Sequence, residues 1–206
     1  MNNMRTLTLL MLASGSLLLT ACRIPLSKIP LSDETNSRVD ERLIGTWEID
    51  VRRVQEILGN KDSEPTARYR LERAKDHKNT LLCTYVNEGG EDDKPLPCFT
   101  THLGMHDYLS LASRGVDSEF YVICRYEVEG EDEGKLFLMS SEFVVEQIDS
   151  GKVTGKVDRD GDEIRGVMLG LKPDELREFI LRHSDKAFDL EHPLACKRIV
   201  DSVPKE

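Results

Sequence analysis

Alternation of apolar and polar side chains dominates the chain from Leu43 onward. Leu43, Gly45, Trp47, Ile49 and Val51 fall on one face of a predicted strand, and Ala67, Tyr69 and Leu71 stand between Arg68, Arg70 and Glu72. Leu81, Cys83 and Tyr85 form a further set, followed by Phe99, Thr101 and Leu103, and then by Leu109 and Leu111. The longest run is Phe120, Val122, Cys124, Tyr126 and Val128; Leu136 and Leu138 follow an acidic turn, and Ile164 with Val167 to Leu169 makes a later strand. A side-chain period of two marks a strand with one buried face. The turns between, Glu88 to Asp93, Glu129 to Gly134 and Asp160-Gly161, are polar and rich in Gly. Many short strands joined in this way predict an antiparallel barrel or sandwich.

Two segments break the period. Residues 141–149 read as a short helix with Phe143, Val144 and Ile148 on one side and Gly151 as its stop. Residues 173–184 open on Pro173, whose missing N–H is harmless in a first turn. Asp174 and Glu175 suit the positive end of that helix, and Arg182 and His183 the other. Leu176, Phe179, Ile180 and His183 make one stripe, expected to pack on the sheet with His183 at the edge of the contact.

The beginning of the chain is of another kind. Residues 1–21 hold one charge, Arg5, before a run from Leu7 to Leu19 that is almost entirely apolar or small. That is the layout of a secretory signal, too short and too broken by Ser14, Gly15 and Ser16 for a membrane span. It ends in Leu19-Thr20-Ala21-Cys22, which resembles the bacterial lipobox. The resemblance implies cleavage before Cys22, a lipid on its thiol and attachment to an envelope membrane. Arg23, where enteric lipoproteins kept in the inner membrane carry Asp, favours the outer membrane facing the periplasm. Residues 22–41 are expected to be the lipidated Cys and a tether, because Ile24-Pro25-Leu26-Ser27 repeats as Ile29-Pro30-Leu31-Ser32 and proline interrupts regular structure. Residues 42–206 then form a single domain.

Leu43-Ile44-Gly45-Thr46-Trp47 resembles the opening strand of lipocalin-like domains, in which a Gly-x-Trp tryptophan closes one end of the barrel. Phe137 to Phe143, Ile148 to Lys152 and Pro173 to Ile180 are similar to a family of uncharacterised bacterial envelope lipoproteins. Together they imply a lipocalin-like barrel of about eight strands, with a short helix and a C-terminal helix packed on the sheet. They imply no activity. Any ligand cavity would involve Trp47, Tyr69, Phe120 and Val122.

The net charge of −10 argues against a nucleic-acid partner. Four cysteines remain beyond Cys22, an even number that in an exported protein points to two disulfides. Cys83 with Cys98 across a hairpin, and Cys124 with Cys196 pinning a C-terminal strand, is the expected pairing. His102 and His106 fall in a strand–turn–strand context around Gly104, not on one helix face, so no metal is assigned to them. Asp158 to Glu163 does not fit the frame of a calcium loop and reads as a hairpin at Asp160-Gly161. The Glu129 to Glu133 run reads as a solvated tip. Gly-x-Ser-x-Gly, His-Glu-x-x-His, phosphate-loop and dinucleotide fingerprints are absent from the sequence. Ser202-Val203-Pro204-Lys205 is read as chance. No catalytic residue and no cofactor is therefore expected. The leading expectation is a non-catalytic interaction or structural module with a filled core, meeting an envelope protein. The alternative is a binder of a lipid or other apolar small molecule, which requires a cavity behind Trp47.

Overall fold

The computed structural model describes residues 24–58, 63–86, 94–114 and 119–199. Along the chain run β1 (Leu26–Ser27), a 3-10 turn (Glu41–Leu43), β2 (Gly45–Asp50), α1 (Arg52–Leu58), β3 (Thr66–Arg73), β4 (Leu81–Tyr85), β5 (Leu96–Leu103) and β6 (His106–Arg114). Then follow β7 (Glu119–Glu129), β8 (Glu133–Leu138), α2 (Ser141–Asp149), β9 (Gly155–Asp160), β10 (Glu163–Leu169), α3 (Pro173–His183) and β11 (Leu194–Ile199).

Strands β2 to β8 each pair antiparallel with the next, and β11 closes the circle between β8 and β2. The result is a closed, eight-stranded, lipocalin-like antiparallel barrel. Closure leaves none of these strands as an open edge, and a barrel of this size has room for side chains or one small ligand. The alternating residues now have a destination. Leu43, Trp47, Leu71, Leu81, Cys98, Leu109 and Tyr126 form the inner core.

A second core lies outside the β6–β8 wall. Tyr108, Ile123, Phe137 and Met139 project outward and are covered by Val144 of α2, Leu176, Phe179 and Ile180 of α3, Leu169 of β10, and Phe188. The α3 stripe is thus a packing face. His183 closes its end against the rings of Phe143, 5.4 Å away, and Phe179, 5.3 Å away. At α2, the Ser140 hydroxyl accepts from the Phe143 N–H (3.3 Å), and Gly151 ends the helix at φ 70°. Such a left-handed turn costs glycine little.

The segment expected to be a tether is part of the fold from Ile24 onward. β1 pairs antiparallel with β7 (Leu26 opposite Val122) and parallel with β10 (Leu26 opposite Met168), so it joins the β9–β10 hairpin to the barrel. Ile24, Pro25, Leu31, Ser32 and Ser37 are buried. The Leu31 N–H donates to the Ser110 hydroxyl (3.1 Å), and Ser37 exchanges hydrogen bonds with the backbone of Thr100. Proline excludes long regular elements here, but it does not prevent a two-residue edge pairing. The helix α1 (Arg52–Leu58) has no counterpart among the elements predicted above. Residues 1–23 with Cys22, the Glu88 to Asp93 turn, and Ser202 to Lys205 lie outside the described residues.

Candidate ligand cavity

One end of the barrel is shut. The strand ends there carry the 3-10 turn, which lays Leu43 across the opening, and the Trp47 indole N–H donates to the Leu43 carbonyl (2.8 Å). Arg198, opposite Trp47 on β11, stacks its guanidinium 4.8 Å from the ring. It also donates to the carbonyls of Ile44 (2.9 Å) and Arg42. Arg198 therefore clamps the turn to the tryptophan through a cation–π contact and backbone hydrogen bonds. Beside it, Asp40 accepts from the Tyr126 hydroxyl (2.8 Å) and from Arg42, which also reaches Asp107 (3.1 Å). Burial pushes the Asp40 carboxyl up, but the bonds from Arg42 and Tyr126 outweigh it and hold the group below its ordinary value. Burial first, then the Asp40 bond, raises the Tyr126 phenol. The acidic β7–β8 tip also stands at this shut end.

Behind Trp47 the barrel is not filled. A cavity of about 240 Å³ extends from the tryptophan to the opposite end. Ile49, Leu71, Leu109, Leu111, Cys124 and Leu136 contribute its wall. The opposite rim is formed by Val51, Val54 of α1, Tyr85, Lys94, Leu96 and Ser113, with Ile24 beside the end of β8 at Leu138 and the start of β11 at Leu194. The lining is overwhelmingly hydrocarbon, and exposed Lys94 is the cationic side chain at the rim. Of the expected cavity residues, Trp47, Tyr69 and Val122 line this space. Tyr69 stacks obliquely on Tyr85 across β3–β4, with ring centroids 5.5 Å apart. Phe120 has the same strand parity at the start of β7 but is not among the lining residues.

The expected disulfides are not formed: Cys83, Cys98, Cys124 and Cys196 are free thiols. The register explains why. Cys83 faces Leu96 and Cys98 faces Leu81, so the two are diagonal neighbours, not a direct cross-strand pair. Diagonal positions lie about 7–8 Å apart, beyond disulfide reach. Cys124 faces Leu138 on β8 while Cys196 pairs with Gly134 on the far side of that same strand, so β8 separates them. All four point inward. Burial pushes Cys83, Cys124 and Cys196 to about 12, and Cys98 well above its ordinary value. These are neutral, poorly nucleophilic thiols; Cys83, Cys124 and Cys196 act as apolar lining, and Cys98 is packed in the inner core.

The remaining polar candidates sit elsewhere. His102 contacts Asp107 (2.8 Å), whereas His106 lies opposite Leu103 and 3.9 Å from Asp185. The two imidazoles are on opposite faces of the hairpin. Asp160-Gly161 is the β9–β10 turn. Among the described residues, no group of three or more His, Cys, Asp or Glu side chains is placed to hold a metal. No helix among them is long and apolar enough to cross a membrane. Sequence reasoning missed Ile24, Val54 and Arg198. Ile24 and Val54 sit in non-alternating segments. Arg198 continues the inward parity of Leu194 and Cys196, a signal that a charged residue conceals. No family model, curated protein or solved structure matches the chain.

Proposed function

We propose that this protein is an envelope lipoprotein, anchored through lipid on Cys22, whose barrel holds one apolar small molecule without catalysing a reaction. The observation that carries the reading is the unfilled, hydrocarbon-lined space behind Trp47. A binding site of this kind is concave, mostly apolar and preformed. An engineered apolar cavity of about 150 Å³ takes benzene, so by volume this one accommodates a hydrocarbon of about ten carbons. The apolar side chains between Trp47 and the rim favour hydrocarbon within the barrel, with any polar head at the rim near Lys94. An interaction module with a filled core would have no use for this space.

Native mass spectrometry of the lipidated chain, released from the envelope in mild detergent, tests the reading. One bound acyl-containing molecule per chain, displaceable by added fatty acid, is the expected result. A bare chain that also fails to bind an environment-sensitive apolar dye would overturn it and return the protein to the interaction class. Acyl labelling of Cys22, lost in Cys22→Ala, checks the anchor independently.

A further inference from the structure

The cavity has a depth as well as a volume. On β2, β6 and β8 its lining runs from the shut end to the open one, from Trp47 to Val51, Leu109 to Ser113 and Gly134 to Leu138. Each run is four residue steps long, which is about 13 Å of strand. Strands tilted by roughly 40° in a barrel turn that into about 10 Å along the axis. An extended hydrocarbon chain advances about 1.3 Å per carbon, given single bonds of about 1.5 Å, so one chain of about eight carbons spans the depth. The volume independently admits about ten carbons. One chain therefore uses nearly all of the space, and a second chain beside it has no room.

The inner end of this space is a stiff floor. The Trp47 indole N–H donates to the Leu43 carbonyl, and Arg198 lies 4.8 Å over the ring while it donates to the carbonyls of Ile44 and Arg42. The edge of the ring meets a part of β8 that carries no side chain: a Cβ at Gly134 would stand 3.7 Å from Trp47 Cζ3. A chain tip that reaches the indole can displace it only by breaking the hydrogen bond and the cation–π contact together. From this geometry we infer that the barrel takes a single unbranched acyl chain, tip first, and that Trp47 is the stop that sets its length at about ten carbons. The inference rests on the proposed function and names its ligand class and the residue that selects within that class. Cys196 stands one level nearer the open end, because Arg198 pairs with Trp47 and Cys196 with Ile49, and it forms part of the wall just above the floor.

The test offers an equimolar series of saturated unbranched acids, hexanoic to hexadecanoic, to the full lipidated chain in mild detergent. Native mass spectrometry reads which acids are bound. Occupancy is expected to peak near decanoic acid. Beyond that length each added methylene stands in water when bound and in the micelle when free, so occupancy falls about fourfold per carbon. Trp47→Leu lowers the floor and should move the peak toward longer acids. Cys196→Leu adds bulk just above the floor and should move it toward shorter ones. Because Cys196→Leu leaves Trp47 and its clamp in place, it keeps the test decisive if Trp47→Leu fails to fold, which circular dichroism checks. Occupancy that rises unbroken to hexadecanoic acid, or a peak that stays in place in either folded variant, would overturn the stop while the binding reading stands. Adamantane-1-carboxylic acid has the carbon number of undecanoic acid in a compact cage, and occupancy equal to or above that of undecanoic acid would overturn the single-chain shape. Binding of an environment-sensitive apolar dye without any of the acids would overturn the acyl class alone. Binding of neither would overturn the binding reading as well.

Discussion

Residues facing the barrel interior have had their chemistry muted by burial. The four thiols show it most clearly. With Cys83, Cys124 and Cys196 pushed to about 12 and Cys98 raised well above its ordinary value by burial, they contribute little thiolate at neutral pH. Native protein at pH 8 should therefore resist iodoacetamide at Cys83, Cys98, Cys124 and Cys196, and should label at all four in denaturant without added reductant. Labelling that requires reductant would mean that disulfides exist after all. At the shut end, Asp40 is held below its ordinary pKa, so the folded state favours its ionised form. That contribution is fully present above the unfolded value of about 4 and is lost as pH falls through the lower folded value. Asp40→Asn should accordingly destabilise the protein at pH 7, and the difference from wild type should shrink in acid unfolding curves. Tyr126→Phe, which removes one hydrogen bond to the same carboxylate, should cost about 1 kcal/mol in urea denaturation at neutral pH.

At the scale of elements, the outer layer is held by apolar stripes and close backbone approach. Leu176 is fully buried under α3, whereas Leu181 on the same helix is 53% exposed. Leu176→Ala should cost about 2–5 kcal/mol by leaving a cavity, while Leu181→Ala should stay within about 0.5 kcal/mol. Equal effects would mean that α3 packs by another face. Gly155 is tight for a different reason. A Cβ built there would lie 2.5 Å from Ile148 Cδ1 and 2.7 Å from the Met168 carbonyl, and a backbone carbonyl cannot swing aside. Gly155→Ala should cost about 1–3 kcal/mol by overpacking α2 against the hairpin, measured as a lowered denaturation midpoint.

At the scale of the molecule, the protein divides into a barrel that encloses space and an outer wall that does not. Ligand binding and stability are coupled through the enclosed space. Saturating the cavity at a hundredfold excess over Kd should add about 2.7 kcal/mol to unfolding. Val122→Phe should fill the space near the rim, abolish that increment and leave the circular dichroism unchanged. A variant that keeps the full increment would place the ligand elsewhere. The N-terminal segment belongs to this scale too. Its buried serines and the β1 pairings tie the first described residues to β7 and β10.

The sequence by itself determined what is local. The strand alternation of Phe120 to Val128, the α2 and α3 boundaries around Ser140, Gly151 and Pro173, and the hairpin at Asp160-Gly161 were all legible, because periodicity, caps and turn residues act over a few positions. The alternation pointed to about eight antiparallel strands but left their closure open, and the pairing of β11 with both β8 and β2 decided it. Tertiary structure alone decided the rest. A period of two states that Cys83, Cys98, Cys124 and Cys196 share a buried face, but only the register between distant strands keeps their sulfurs apart. Polar, proline-bearing residues 24–41 looked like a spacer, yet they find partners in Ser110, Thr100 and β7, which no local pattern announces. Whether a ring of inward side chains meets in the middle depends on barrel radius and on what each opposite wall supplies. That balance left room behind Trp47, and the cavity is a property of the closed barrel that no single strand carries.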